Sequence, residues 1–574
     1  MKNYAYFQMR FFLFRRETYQ SSQFKLNELQ ELWKCSQKQT KRRLKRYVEE
    51  GRITYEPGNG RGNSSKITFT NSFQEEVESQ VLQLVKTNKL EEIIMLLQLQ
   101  IPPLWISNVS KEVQSLFGIH TSEQSTDILR TIITRKLTTL DPLYTAINFE
   151  TYLINQLGDS LLVYNSKEDK LYPHIAHNWE RDDTGKVWTF YLRKGIRFHN
   201  GDVLTSEDVK YTFRRFLTHY TPHYWLVEDI EFIECITPFT IRFTLRRANL
   251  FFPRYVASYN LAILPHTENF NENIWIGSGA FQLKKRSENV LILKAFENYF
   301  LPRPLLDEIQ IYHMPTDATT SITYDIDRDV YNATPLQSQG VEVGFQFLAF
   351  NFKRNTIVHN PLFRRAIFEL VDLPLMWKDL NRSNLQEATS YFHWKSTPTK
   401  KNPTKISDLL NQAGYKGETL TVYTLDKQSY IEEGEWLKKI AKEYGLKLTI
   451  KTYTLNEYYH TILEEADLLF MGEVASVDYH LSFMGAFLNK SLIFSRFLTD
   501  PYMEKLTYYL DKIKQNTNWK TREMWIEKAE NYIKKENLFI YLYHPIKTRS
   551  FHPMIKDIQF ESFGYVDLKR LWIK

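Results

Sequence analysis

Residues 176–216 read AHNWERDDTGKVWTFYLRKGIRFHNGDVLTSEDVKYTFRRF, and their order is strand, turn, turn, helix. Val187-Trp188-Thr189-Phe190-Tyr191-Leu192 is a run of β-branched and aromatic residues, the types that suit a pleated, half-buried surface. Lys194-Gly195 begins one turn and Phe198-His199-Asn200-Gly201-Asp202 makes another, because Gly and Asn take backbone conformations that other residues resist. Ser206 is placed to cap a helix that continues through Glu207-Asp208-Val209-Lys210-Tyr211-Thr212-Phe213. The same alternation recurs at 420–425, 430–444 and 447–453, a strand, a helix and a strand. The expected fold class is multidomain α/β, with two lobes in the larger part of the chain.

At 574 residues the chain is too long for one core, and two to four domains are expected. A hydrophobic share of 43% and a charged share of 25% exclude a disordered or fibrous chain. The 35 Tyr and 38 Phe are more than usual; clefts use such rings as rigid contact surfaces, although most must be core. Cys35 and Cys235 match no metal or redox spacing. No run reaches about 18 apolar residues, so no membrane insertion is expected. The apolar patch Phe11-Phe12-Leu13-Phe14 lies between Arg10 and Arg15-Arg16 and is far shorter than the roughly 7–15 residues of an export h-region. A cytoplasmic location is the expectation.

The net charge of +7 is unevenly placed. Residues 1–70 hold 15 Lys/Arg and 6 Asp/Glu, whereas the other 504 hold 59 and 61, so the whole basic excess lies at the N-terminal end. That is the electrostatic footprint of a nucleic-acid binder, with a merely solvated basic face as the alternative. The local pattern favours the first reading. Asn27 is a candidate cap for a helix with Leu26, Leu29, Leu32 and Trp33 on one face. Lys34-Cys35-Ser36 is a short turn, and Ser36-Gln37-Lys38-Gln39 fits a capping box, S-x-x-Q. The helix it opens places Thr40, Leu44, Tyr47 and Val48 along one stripe and centres Gln39, Arg42 and Arg46 on the other, with Gly51 at its end. Alternating stretches at 52–56 and 65–69 flank a Gly/Asn loop that carries Arg61. Helix-turn-helix followed by a hairpin is a winged helix. The residues expected at double-stranded DNA are Ser36, Gln37, Gln39, Arg42, Arg43, Arg46, Arg61 and Lys66. Gln and Arg suit base edges, while Lys supplies sequence-blind phosphate contacts.

The run ELQELWKCSQKQTKRRLKRYVEEGRITYEPGNGRGNSSKITF (28–69) resembles the N-terminal domain of the SgrR family of bacterial transcription regulators. The likeness covers about residues 5–120, including helical stretches at 74–87 and 89–99 that read as a packed connector or as a dimerisation hairpin, so a homodimer stays open. Pro102-Pro103 and the polar run 120–126 read as joints. Residues 127–574 resemble the family-5 extracellular solute-binding proteins. The 176–216 run carries that likeness, together with Leu137–Pro142, Phe252-Pro253, Ile263–Pro265, Gly277-Ser278-Gly279-Ala280-Phe281, Phe347–Phe352, Leu362–Ile367 and Leu409–Tyr415, in order. The SgrR family joins these two parts in this order. The resemblance implies a winged-helix domain at 1–72, a connector at 73–123 and a solute-binding domain at 124–574. Lobe I is expected at about 124–345 and 535–574, and lobe II at about 346–534. It implies a ligand-sensing regulator in which a small polar solute (a sugar, a sugar phosphate or a peptide) closes the lobes and alters DNA binding. The alternative is a transport-associated solute-binding protein for oligopeptides or related solutes.

No enzyme motif is present: HExxH, GxSxG, GxxxxGK[ST] and GxGxxG are all missing, so no catalytic residue, metal or cofactor is expected. His174 and His177 are spaced for one face but lack a carboxylate motif, and His199 beside Asp202 belongs to a turn that is structural in the resembled family. Asp182-Asp183 and Glu432-Glu433 read as solvated surface. In the segment 466–488, ADLLFMGEVASVDYHLSFMGAFL, Asp478 matches the position where peptide-binding relatives pair an Asp with a ligand amine. Tyr479, Phe483 and Trp275 are the aromatic residues expected beside it. The chain lacks the relatives' Trp before this Asp and Pro after it, and is short between Met314 and Phe345, which weakens the peptide reading and leaves sugars open.

Overall fold

The computed structural model describes residues 3–58, 63–99, 101–102, 105, 108–109, 112–113, 115–121, 126–145, 147–219, 221–314, 336–341, 343–454, 457, 464–476, 478–551, 554–559 and 565–574. Arg61, Pro103 and residues 315–335 lie outside these described residues.

The N-terminal module is built on α1 (Tyr4–Phe14), β1 (Ser21–Phe24), α2 (Leu26–Trp33), α3 (Gln37–Glu49), β2 (Ile53–Glu56) and β3 (Ser65–Phe69). Its antiparallel sheet has the order β1-β3-β2, so the expected hairpin gains a third strand. The patch at Phe11–Phe14 is the end of α1, a helix not foreseen from the sequence, which buries Tyr6, Phe7, Met9 and Leu13 at the centre of the module. Arg10 is buried with them. Its guanidinium lies 3.7 Å over the Phe69 ring and pairs with Glu17 and Glu76. Helix α2 starts two residues earlier than expected: its cap is Lys25, Asn27 is inside it, and the Lys25 N–H donates to the Glu28 carboxylate at 2.7 Å. Helix α3 has the expected capping box, with Ser36 Oγ accepting from the Gln39 N–H and Gln39 Oε1 accepting from the Ser36 N–H at 3.1 Å. Thr40, Leu44 and Tyr47 are buried, but Val48, expected on the same stripe, is exposed. Gly51 leaves the helix at φ 68°, a left-handed conformation that side chains resist.

The connector consists of α4 (Phe73–Lys86), capped by Ser72 and Glu75, and α5 (Leu90–Leu97). Leu90, Ile93, Ile94 and Leu97 of α5 are buried inside the chain, so the stripe that could have served a dimer already has an internal partner.

Lobe I contains β4 (Gly118–Thr121), β5 (Asp127–Ile133), α6 (Asn148–Leu157), β6 (Leu162–Asn165), β7 (Lys170–Pro173), β8 (Ala176–Arg181), β9 (Val187–Leu192), α7 (Ser206–Thr218), β10 (Ile230–Thr237), β11 (Thr240–Leu245), β12 (Phe281–Arg286), β13 (Val290–Ala295) and β14 (Glu308–His313). Two larger sheets result, β12-β13-β14-β5-β4 and β10-β11-β9-β8, besides the β6-β7 pair. The expected joint at 120–126 is in part strand: β4 pairs antiparallel with β5, Thr121 opposite Asp127, so the sheet reaches back into the expected connector. The cap of α7 is Thr205 rather than Ser206. Asp208 accepts from the Thr205 N–H at 2.7 Å, while buried Ser206 donates to the Thr237 carbonyl.

The first of these sheets has two covered faces. Leu291 and Leu293 of β13, with Ile309 and Ile311 of β14, join the lobe I core that includes Leu153, Leu157 and Trp275. The alternate residues Val290 and Ile292, with Tyr312 and Ile132, join the core of the N-terminal module and connector. Successive strand residues point to opposite faces, so one strand belongs to both cores. Polar contacts seal the junction. Arg130 donates to Gln310 at 3.0 Å and to Asn88 at 2.8 Å, Gln98 donates to Asn289 at 2.6 Å, and Lys285 pairs with Glu91 at 2.6 Å.

Lobe II contains β15 (Leu336–Val341), β16 (Gly344–Phe350), β17 (Leu385–Glu387), β18 (Thr419–Leu425), α8 (Gln428–Glu443), β19 (Lys447–Tyr453), β20 (Leu468–Val474), α9 (Tyr479–Leu488), α10 (Asp500–Lys514), α11 (Trp519–Glu536), β21 (Phe539–Tyr541) and β22 (Tyr543–Phe551). Its sheet runs β19-β18-β20-β16-β21. The expected return to lobe I at 535 is therefore too early. β21 completes the lobe II sheet beside β16, and the chain rejoins the lobe I core only from Ile555, through Tyr565, Val566, Leu568 and Leu571.

Candidate ligand cleft and nucleic-acid interface

The 176–216 run and the Gly277-Ser278-Gly279 loop fit together as framework. The His199 backbone N–H donates to the Gly277 carbonyl at 2.8 Å, Nδ1 accepts from the Gly277 N–H at 3.2 Å, and Nε2 lies 3.0 Å from the Gly279 carbonyl. Burial lowers the His199 pKa, as expected of a ring used to hold a turn. A Cβ on Gly277 would lie 2.4 Å from the Trp275 ring, and one on Gly279 would lie 2.4 Å from the Leu157 carbonyl carbon. These glycines thus allow Trp275 and helix α6 to pack at contact distance. Trp275 was expected at the cleft. It is instead 1% exposed in the lobe I core, with its indole N–H donating to the Leu140 carbonyl at 2.7 Å. His174 is likewise structural, 2.8 Å from buried Asp159, which also accepts from Ser278 and Tyr299.

Between the lobes lies a cavity of about 370 Å³, within the range of ligand pockets. Lobe I contributes Tyr164, His223, Trp225, Arg254 and Asn260, and lobe II contributes Phe347, Met471, Glu473, Asp478 and Phe494, among others. Trp225 reaches across to lobe II, where a Cβ on Gly485 would be 3.0 Å from its ring.

Asp478 reaches this cavity, as expected, but its carboxylate does not wait for a ligand amine. It caps α9, accepting from the Leu481 N–H at 2.9 Å, and forms a two-pronged ion pair with Arg254 of lobe I. Arg254 also pairs with Asp169 at 2.7 Å and stacks 3.6 Å over the Tyr164 ring. Asp169 in turn binds Arg522 of lobe II at 2.5 Å, and Arg522 donates to His480 at 3.0 Å. The network latches the two lobes together. The position foreseen for a ligand cation is filled by a guanidinium from the facing lobe. The two aromatic neighbours are also displaced from the expected role. Phe483 is fully buried against Tyr391, Phe392 and Phe487, and Tyr479 packs on Trp394 outside the cavity lining, because both lie on sides of α9 that face the lobe II core and surface.

Sequence reasoning passed over Glu473. It sits on β20 in the apolar run Leu468–Val474, and a charged residue in a central strand was the available signal. Its side chain is half-buried and touches the cavity space, and desolvation pushes its pKa up to about 8. His223, also on the wall, is pushed the other way by burial, to about 4, against its contact with the Thr145 carbonyl.

On the N-terminal module, Gln37, Lys38, Gln39, Lys41, Arg42, Lys45 and Arg46 are all exposed on α3, as is Lys66 on β3. Arg43 is half-buried over the Trp33 ring at 5.2 Å, and Arg46 lies near Glu50 at 3.6 Å. Arg42 has neither ion pair nor hydrogen bond among the described residues. Ser36 and Gln39 hold each other in the capping box, so their side chains serve the helix start while remaining exposed.

The sequence description of bacterial extracellular solute-binding proteins, family 5 (middle region), matches residues 170–493. The chain belongs to this family. The N-terminal description of sugar transport-related sRNA regulators matches residues 4–120, so a family-5 solute-binding domain follows an SgrR-type N-terminal domain. The HTH-type transcriptional regulator SgrR of Yersinia enterocolitica is 24% identical over 564 residues, which covers 95% of this chain and 94% of that one. An uncharacterized protein of Bacillus subtilis, YhjP, is 25% identical over 569 residues, 96% of each chain. Among solved structures, the family-5 fold is shared with the periplasmic binding protein DppA of Helicobacter pylori in complex with the peptide STSA. The TM-score is 0.65 at 19% identity, covering 78% of this chain and 98% of that one. None of these relatives is named as an enzyme. No helix among the described residues is long and apolar enough to cross a membrane.

Proposed function

We propose that this family-5 chain is a ligand-sensing transcription regulator that works in the cytoplasm. A small polar solute in the interlobe cavity sets the affinity of α3 for double-stranded DNA. The observation that carries the reading is the sheet shared between the two parts, since β13 contributes alternate residues to the cores of the DNA-binding module and of lobe I. A basic helix free for DNA and a cleft closed by an ion network are therefore mechanically joined rather than tethered. The solute favours the lobe arrangement for which it has higher affinity, and the shared sheet passes that bias to the module. Binding, not bond-making, is the chemistry of the cleft. Arg254 and Asp478 on its wall are engaged in the latch, and His199 and His174 hold turns.

The test is a pair of titrations on the full chain, operator duplex with and without solute, after genomic occupancy mapping has identified the operator. The expected result is a change of duplex affinity by a factor in the range of about 5–150 that is typical of allosteric coupling. Identical duplex affinities at saturating solute would overturn the reading.

A further inference from the structure

Arg254, Asp478 and Glu473 all stand on the cavity wall, and only the first two pair with each other. Arg254 and Asp478 neutralise each other across the cleft, and Asp169 takes another donor of Arg254. Glu473 has no hydrogen bond or ion pair from its carboxylate among the described residues. The groups around it offer no cation. Its cross-strand partner is Phe345, the hydroxyl of nearby Tyr391 is buried without a partner, Tyr164 donates to Asp169, and His223 lies against the Thr145 carbonyl.

We propose that Glu473 receives a cationic group of the solute, an ammonium or a guanidinium, so that the ligand of this cleft is a compact cation-bearing molecule rather than a sugar phosphate. The inference rests on the sensor reading only for the choice of cleft. A half-buried carboxylate with no partner on a largely apolar cavity wall is costly to ionise and keeps its proton instead, and desolvation does push Glu473 up to about 8. A ligand cation at hydrogen-bond distance reverses the balance, because an opposite charge favours the ionised form and the contact is charge-assisted. The carboxylic proton leaves to solvent as the ion pair forms, so binding at neutral pH releases close to one proton. An anionic ligand would find its candidate guanidinium already matched and a carboxyl in its path. Trp225, Phe347 and Phe494 supply the apolar walls, and the volume of about 370 Å³ limits the solute to the scale of a monosaccharide or a dipeptide.

The experiment is calorimetric titration of the full chain at pH 7 in two buffers of different ionisation heat. The probes are glucosamine and Ala-Leu amide, each against its N-acetylated neutral form, and glucose 6-phosphate. The two cationic probes distinguish an amino sugar from a peptide as the source of the charge. The expected result is binding of at least one cationic probe, at least tenfold tighter than its acetylated form, with release of close to one proton. Glu473→Gln loses at least tenfold in affinity together with the proton release, and Glu473→Asp retains the preference for the cation. Duplex binding through α3 reports that each variant is folded, and the wild-type probe pairs decide the matter even if a variant is not. Failure of both cationic probes to bind, tighter binding of glucose 6-phosphate, equal binding of the acetylated forms, or no proton release would overturn the inference. A cationic probe that binds through Glu473 without changing duplex affinity would leave the inference standing and remove the sensor reading. A neutral or anionic solute that changes duplex affinity would do the reverse.

Discussion

Asp478 and Glu473 are close neighbours in sequence, and the structure gives them opposite roles. The family likeness pointed to Asp478, and the residue does line the cleft. What could not be read is its partner, since Arg254 lies 224 residues away in sequence, and nothing local to either residue announces the pair. Glu473 was legible in type, a carboxylate in an apolar strand, but its meaning depends on which side chains fail to reach it, which only the packed lobes decide. The consequence for stability can be worked out in sign. Its folded pKa of about 8 lies above the ordinary value of 4.5, so above pH 4.5 the folded state holds a proton that the unfolded state has lost. Stability is therefore lost as pH rises from about 4.5 to about 8. Glu473→Gln removes that loss. The variant without ligand is expected to be more stable than the wild type by roughly 1–3 kcal/mol at neutral pH, after a discount for water in the cavity. Thermal unfolding across this range should show a gap that widens with pH, and a gap constant with pH would contradict the assignment. His544 titrates in the opposite sense. Burial lowers it to about 4 between the Gly344 carbonyl and Ser396 Oγ, so its contribution is lost as pH falls from about 6.5 through 4.

At the scale of the element, legibility follows how local the determinants are. The capping box of α3, its buried stripe and the Gly51 stop rest on chemistry within a few residues, and all were readable. Helix α1 was not, because it is apolar on most sides and takes its place only through distant partners: Tyr6 donates to Glu76 at 2.7 Å, and Arg10 stacks on Phe69. A helix buried all round carries little periodicity to read. The start of α2 was misplaced for a related reason, since a Glu28 carboxylate rather than the Asn27 side chain takes up the free N–H. Two predictions separate the scaffold role of α3 from its reading role. Ser36→Ala removes the cap and should cost about 1 kcal/mol of stability, with duplex affinity per folded molecule nearly unchanged. Arg42→Ala touches no packing partner. It should leave the melting temperature in place and weaken specific duplex binding by roughly 1–3 kcal/mol if the side chain reads a guanine edge. Electrophoretic or fluorescence titrations at fixed salt check both, and an Arg42/Arg46 double-alanine variant that binds every duplex like the wild type would remove α3 from the interface.

At the scale of the whole molecule, the two-part organisation was readable from motif order, but the junction was not. The run Val290-Leu291-Ile292-Leu293 has apolar residues at successive positions, which indicates a strand covered on both faces without saying by what. The structure supplies the answer, lobe I on one face and the connector on the other, and this makes the junction testable. Arg130 is the buried link in it, bonded to Gln310 within the sheet, to Asn88 after α4, and to the Leu116 carbonyl before β4. Arg130→Met keeps most of the volume but removes the donors; Gln310 keeps the Tyr312 hydroxyl, the Leu116 carbonyl keeps the His120 ring and exposed Asn88 turns to water, so the cost is that of the lost hydrogen bonds, about 0.5–1.5 kcal/mol each. The contact between connector and sheet loosens, while α3 and the cavity wall keep their own residues. Duplex affinity without solute and solute affinity without duplex should both stay within a few-fold of the wild type. The coupling factor between them should fall toward one, and linkage requires it to fall equally whichever ligand is titrated first. The measurement is the four-cornered set of affinities, with duplex and with glucosamine or Ala-Leu amide, each alone and in the presence of the other. Full coupling retained in Arg130→Met would show that the bias travels by a route other than the shared sheet.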